Sequence, residues 1–174
     1  MIKTDHIVPT SSSGHYTHYD ADVHTLRPVV AAAIFDSLHH PTTLLCAERS
    51  YPPQLRGQFE LPGGKIEPGE LPLNALSREI DEELSTGLEF GPPLLGPDQG
   101  WWPILNGRRM GVWLAEIGKN QPAPRVGESH QALVWVGLDH VMDLDWIEAD
   151  VPIVQACIAA AKNISIGKTR TIKK

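Results

Sequence analysis

The chain has 174 residues, of which 41% are hydrophobic and 21% charged, enough for one globular domain with an ordinary core. Its formal net charge of −6 argues against an electrostatic grip on nucleic acid, where a basic face is needed to displace counterions from the phosphates. No apolar run reaches the ~20 residues of a membrane span, and none near the start has signal-peptide length, so a soluble cytoplasmic protein without a membrane partner is expected.

Residues 1–25 are rich in Ser, His, Thr and Asp without any period and read as a flexible extension. His15 and His18 within it lack partner ligands for a metal. The segments "RPVVAAAIFD" and "TTLLCAERS" read as two strands joined by "SLHHP", a hairpin in which His39 and His40 are solvated. Cys46 and Cys157 stand in apolar surroundings with no metal-ligand spacing, as buried thiols would in a reducing cytoplasm. A short strand, "FEL", follows and leads into "PGGKIEPGE".

A helix is predicted from Pro72, whose missing N–H suits the first helical position, behind Leu71, a poor N-cap. Leu73, Leu76, Ile80 and Leu84 fall on one stripe and are expected to face the core. To one side of that stripe Glu79, Glu82 and Glu83 share a face, being three and four residues apart. Like charges so placed repel, at a cost of a few tenths of a kcal/mol per pair, unless something positive sits among them. A divalent cation such as Mg²⁺ answers that need, with one or two carboxylates, water and substrate phosphates as ligands; a solvated charged face paired with Arg78 is the plainer alternative.

Beyond the helix, "EFGPPLLGPDQGWWPILNG" is rich in turn residues, whereas "RRMGVWLAEI" and "ALVWVGL" read as strands. The Ala-rich "DVPIVQACIAAAK" is a second helix expected to close over the sheet, and residues 163–174 form a solvated basic tail with Lys168, Arg170, Lys173 and Lys174. One domain over residues 26–162 is the resulting organisation. Nothing in the sequence fixes the oligomeric state.

Gly64, Glu70, Arg78, Glu79, Glu82 and Glu83 stand in the pattern G-x5-E-x7-R-E-U-x-E-E, with Ile80 at the apolar position U. This resembles the Nudix box of the Nudix hydrolases; six fixed residues at fixed offsets arise by chance in such a chain with a probability on the order of 10⁻⁵. The pattern departs at its end, where Ser85 and Thr86 replace the box's glycine and apolar residue and "GL" follows at Gly87 and Leu88. A helix two residues longer, with Gly87 as its left-handed cap, is the expected consequence.

The resemblance implies an α/β Nudix fold, a mixed β-sheet sandwiched between α-helices with a loop-helix-loop catalytic motif. It further implies hydrolysis of a nucleoside diphosphate linked to another moiety, with Mg²⁺ or Mn²⁺ as cofactor and a small nucleotide as substrate. Glu79, Glu82 and Glu83, with a carbonyl at Gly64, become metal ligands; Glu79 alternatively serves as base. Arg78 orients the carboxylates, and Glu70 steadies the loop. Glu128 is a candidate general base, with His130 beside it; a solvated Glu128 and a packed His130 are the alternatives.

"AERSYPPQLRGQFELPGGK", "WPILNGRRMGVWLAEI" and "LDWIEADVPIV" resemble the MutT branch, which converts nucleoside triphosphates to monophosphate and pyrophosphate. Within that resemblance Arg49 contacts the nucleotide and Asp150 the base, and the substrate is an oxidised-guanine or cytidine nucleotide. Asp150 also reads as the N-cap of the second helix. ADP-ribose or nucleotide-sugar hydrolysis, or an idle binding module, are the other readings of the fold.

Overall fold

The computed structural model describes residues 26–171, with side chains through residue 165. The extension, with His15 and His18, and the side chains of Lys168, Arg170, Lys173 and Lys174 lie outside the described residues.

Strands β1 (Val29–Phe35) and β7 (Arg109–Ile117) pair in parallel over seven residues and form the centre of an eight-stranded mixed sheet. Both are near-continuous apolar runs, as strands covered on two faces must be. Alternation then divides their side chains between two cores. Ala31, Ala33 and Phe35, with Val112 and Leu114, face helix α2 (Val151–Thr171) and its Ile153, Val154 and Cys157. Val30, Ala32 and Ile34, with Trp113 and Ala115, face helix α1 (Pro72–Leu84) and its Leu76, Ile80 and Leu84. The sheet is thus sandwiched between helices, as expected. Cys46 and Cys157 are free and buried; no described helix is long and apolar enough to cross a membrane.

The hairpin has one consequence for the site. β1 and β2 (Thr43–Arg49) are antiparallel, with Phe35 opposite Leu44. Farther from the turn they part, and the segment after residue 58 enters the fork. Its first piece, β3 (Phe59–Glu60), pairs with β2, and its second, β4 (Gly63–Lys65), pairs with β1. Strand β8 (His130–Gly137) pairs with the whole length of β2 on its other edge.

Four expectations are corrected. The turn-rich segment contains a strand, β5 (Leu88–Pro93), antiparallel to β7 at the sheet's edge, and a short β6 (Trp102–Pro103). Prolines survive there because an edge strand has an N–H side with no ladder partner. Helix α1 is not extended: it ends at Leu84, and Ser85, not Gly87, takes the left-handed cap at φ 51°, its N–H donating to Asp81 O. Leu73 is exposed, since the buried arc of α1 is centred on Leu76 and reaches Ala75, whose small side chain lets the helix lie close to the sheet. Finally, α2 runs on past Lys162 to Thr171, where a tail had been expected.

Candidate active site

Two glycines and one arginine shape the loop that leads into α1. A Cβ on Gly63 would lie 2.0 Å from Val30 O, so only glycine lets β4 cross so close to β1. A Cβ on Gly64 would lie 2.1 Å from Glu79 Cδ, so the Glu79 carboxylate occupies the space a side chain would need. Helix α1 starts without a side-chain cap, as Leu71 foretold, and burial of Leu76, Ile80 and Leu84 leaves Glu79 against the loop and Glu83 toward Ser129 and His130.

Arg78 gathers the loop and helix together. Its Nε and Nη2 donate to the two oxygens of Glu70, both at 2.9 Å, and Nη2 also donates to Lys65 O at 3.1 Å. Nη1 donates to Glu79 Oε1 at 2.9 Å and to Glu82 Oε2 at 3.4 Å. Glu70 Oε2 in turn accepts the Glu67 N–H at 3.0 Å. Hydrogen bonding to Arg78 holds the Glu70 carboxyl below its usual range, and the same bond raises the guanidinium further. Of the three box glutamates on α1, Glu82 alone points outward, with its side chain 59% exposed.

Glu83 is the opposite case. Burial pushes its carboxyl up; His130 and a hydrogen bond from Ser129 oppose the rise, while Glu60 and Glu79 add to it. Its Oε2 is buried without a hydrogen-bond partner.

A second polar group lies farther along the same segment. Glu60 accepts from Arg49 Nη1 at 2.6 Å and from His130 Nε2 at 2.9 Å, while Arg49 Nε donates to Tyr51 O at 2.8 Å. Asp150, only 4% exposed, sits behind them. Burial pushes its carboxyl up to about 7, the charge on Glu60 adds to that, and the Leu61 N–H and Arg49 pull the other way. Asp150 closes a 3₁₀ turn, Glu148–Asp150, directly before α2.

Both groups open on one cavity of about 560 Å³, whose wall includes Arg49, Glu60, Gly63, Gly64, Glu79, Glu83 and Asp150. Glu82 and Glu128 are not part of that wall. Glu128 is exposed on the loop before β8, where its backbone oxygen accepts from Ser50 Oγ at 2.9 Å. His130 is buried, tied to Glu60, with Nδ1 unpartnered. Sequence reasoning missed Glu60; its signal was a charge in an apolar strand, which must find a partner when buried.

Among the described residues no three His, Cys, Asp or Glu side chains are drawn together as a ready cation cage. Mg²⁺ does not need one, because it keeps waters and takes substrate phosphates beside one or two carboxylates. The unpartnered Glu83 oxygen and the Glu79 carboxylate against Gly64 fit such a site.

The model of the NUDIX domain matches residues 25–157. The chain belongs to the Nudix family. Within it, a Mycobacterium tuberculosis protein provisionally named 8-oxo-dGTP diphosphatase 2 is 39% identical over 123 residues, which are 70% of this chain and 81% of the relative. The CTP pyrophosphohydrolase of Escherichia coli is 28% identical over 116 residues, 67% of this chain and 82% of that protein. The crystal structure of a MutT Nudix hydrolase from Burkholderia pseudomallei superposes with a TM-score of 0.55 at 27% identity, covering 75% of this chain and 96% of that one. These relatives place the Nudix chain beside MutT-like hydrolases.

Proposed function

We propose that this Nudix protein is a divalent-metal-dependent nucleoside triphosphate pyrophosphohydrolase of the nucleotide pool. It takes oxidised-guanine or cytidine nucleotides and releases nucleoside monophosphate and pyrophosphate. The observation that carries the reading is the single cavity shared by Glu79 and Glu83 with the buried Asp150. Asp150 is bonded to Leu61 and Glu79 rests on Gly64, three residues farther along the segment that enters the fork between β1 and β2. A nucleotide laid along that segment has its base at Asp150 and its phosphates at the box carboxylates. The names of the two relatives, a provisional 8-oxo-dGTP diphosphatase and a CTP pyrophosphohydrolase, support this choice of substrate.

Glu79 and Glu83, with the Gly64 carbonyl, are the residues proposed to hold Mg²⁺ or Mn²⁺; Glu82 joins them on leaving Arg78. When bound, the metal neutralises phosphate charge and acidifies coordinated water. Arg78 keeps Glu70 and Glu79 in register with the loop. Water adds to phosphorus, the α–β bridging P–O bond breaks with pyrophosphate or monophosphate leaving, and a carboxylate takes the water's proton. Glu79, at the cavity wall, is the carboxylate proposed for that step. Arg49 and Asp150 are proposed to hold the nucleotide, the first through a planar fork of donors and the second through the base edge.

The test is a panel of nucleoside triphosphates, ADP-ribose and nucleotide sugars with Mg²⁺, with products identified chromatographically. Monophosphate and pyrophosphate from a triphosphate are expected. Cleavage confined to ADP-ribose or nucleotide sugars, or release of orthophosphate only, would overturn the reading.

A further inference from the structure

Just before β1, the strand register builds a row of charges. Val29 pairs with Lys65 of antiparallel β4 on one side and with Met110 of parallel β7 on the other. Two residues earlier, that register sets Arg27 between Glu67 and Arg108. Pro28 keeps Arg27 extended by excluding helical backbone before it, and its carbonyl accepts the Ile66 N–H at 3.0 Å. Arg27, Lys65, Glu67 and Arg108 all line the cavity. Arg27 Nη1 meets Glu67 Oε2 at 2.7 Å, and Arg108 Nε is buried without a hydrogen-bond partner.

The Arg27–Glu67 pair is easily exchanged. Its side chains are 45% and 53% exposed, and ion pairs so open to solvent contribute about 0–1 kcal/mol. A polyphosphate offers several charges and oxygens spaced for a guanidinium fork, so it outcompetes one carboxylate. The position also decides which phosphates are reached. Along the segment Asp150 marks Leu61, Glu79 marks Gly64, and Glu67 lies three residues beyond. A nucleotide with its base at Asp150 therefore extends its outer phosphates toward Arg27.

We infer that Arg27 is a substrate-binding residue for the β- and γ-phosphates, with Arg108 beside it and Glu67 as the competitor it leaves when substrate enters. This rests on the triphosphate reading above. Glu67 then takes Arg27 back as pyrophosphate departs, which favours release of that product.

Calorimetry on wild type, Arg27→Ala and Glu67→Gln, using an α,β-methylene nucleoside triphosphate and the matching monophosphate, separates the two ideas. Loss of a hydrogen bond to a charged group predicts that Arg27→Ala weakens the triphosphate analogue about tenfold or more. Monophosphate affinity should not change, and KM for pyrophosphate release should rise with kcat nearly constant. Glu67→Gln should leave analogue affinity unchanged or raise it, because the competitor is gone. Equal weakening of both ligands by both variants, together with lower melting temperatures, would make the pair a structural clamp on the loop and overturn the inference. Unchanged analogue affinity in Arg27→Ala would overturn it as well. Wild-type protein that releases no pyrophosphate from any triphosphate removes the underlying reading, and that is seen before any variant is made.

Discussion

Asp150→Asn tests the buried end of the cavity through protein stability alone, without substrate. The carboxyl is 4% exposed, and burial, reinforced by Glu60, raises it from 3.8 to about 7. Because the folded-state value is the higher one, the stability Asp150 provides is fully present below 3.8, declines as pH rises, and is lost above about 7. At ~1.4 kcal/mol for each pH step, ionising it inside the folded protein costs ~4 kcal/mol in all. Some ~3 kcal/mol of that falls between about pH 5 and about pH 8. Asparagine has no proton to lose and retains an oxygen for the Leu61 N–H. The assay is urea or thermal unfolding of both proteins at each pH. Taking the difference between them cancels Glu83, whose burial-raised carboxyl contributes a pH dependence of the same sign. The variant should gain on wild type by ~3 kcal/mol over that span, roughly 6–12 °C in melting temperature for a chain of this length. Stability curves that stay parallel would refute the burial argument and make Asp150 an ordinary ionised helix cap.

Glu82→Gln should remove most turnover while changing unfolding free energy by less than about 1 kcal/mol, because its exposed pair with Arg78 contributes little; unchanged kcat in a folded variant would leave Glu82 a solvated side chain. Arg49→Ala should weaken binding of a non-hydrolysable triphosphate and also destabilise the fold by about 1–3 kcal/mol, since Glu60 loses its 2.6 Å partner in a half-buried site. Analogue affinity equal to wild type, measured by calorimetry, would confine Arg49 to the structural role. Ser85→Gly should raise stability by about 0.5–1 kcal/mol in urea unfolding, because glycine adopts the left-handed cap without the Cβ penalty.

The box and its helix were legible because fixed spacing encodes a fixed geometry: Arg78 reaches Glu70 only if the loop between them folds back. β1 and β7 were legible as unbroken apolar runs. β5 was not, since Gly91, Pro92 and Pro93 carry a turn signature that edge pairing overrides. The cap at Ser85 was hidden for the converse reason: a glycine two residues later is the better left-handed residue, but β5 starts at Leu88 and leaves no room for a longer helix. Glu60 and His130 are 70 residues apart, and only β2, with β3 on one edge and β8 on the other, brings them together. No local pattern announces such a contact. Glu128 is the converse, a glutamate in a suggestive place whose loop leaves it outside the cavity wall.

The most direct test of the account is the ratio of kcat/KM for cytidine and uridine triphosphates, followed by pyrophosphate release with Mg²⁺ above pH 7. An ionised Asp150 accepts from the cytosine N4 amine and opposes the carbonyl at the same place on uracil. A preference for cytidine by about 1–3 kcal/mol, roughly five- to 150-fold, is predicted. Equal kcat/KM for the two bases would contradict the claim that one cavity holds the base at Asp150 while its phosphates meet the box carboxylates.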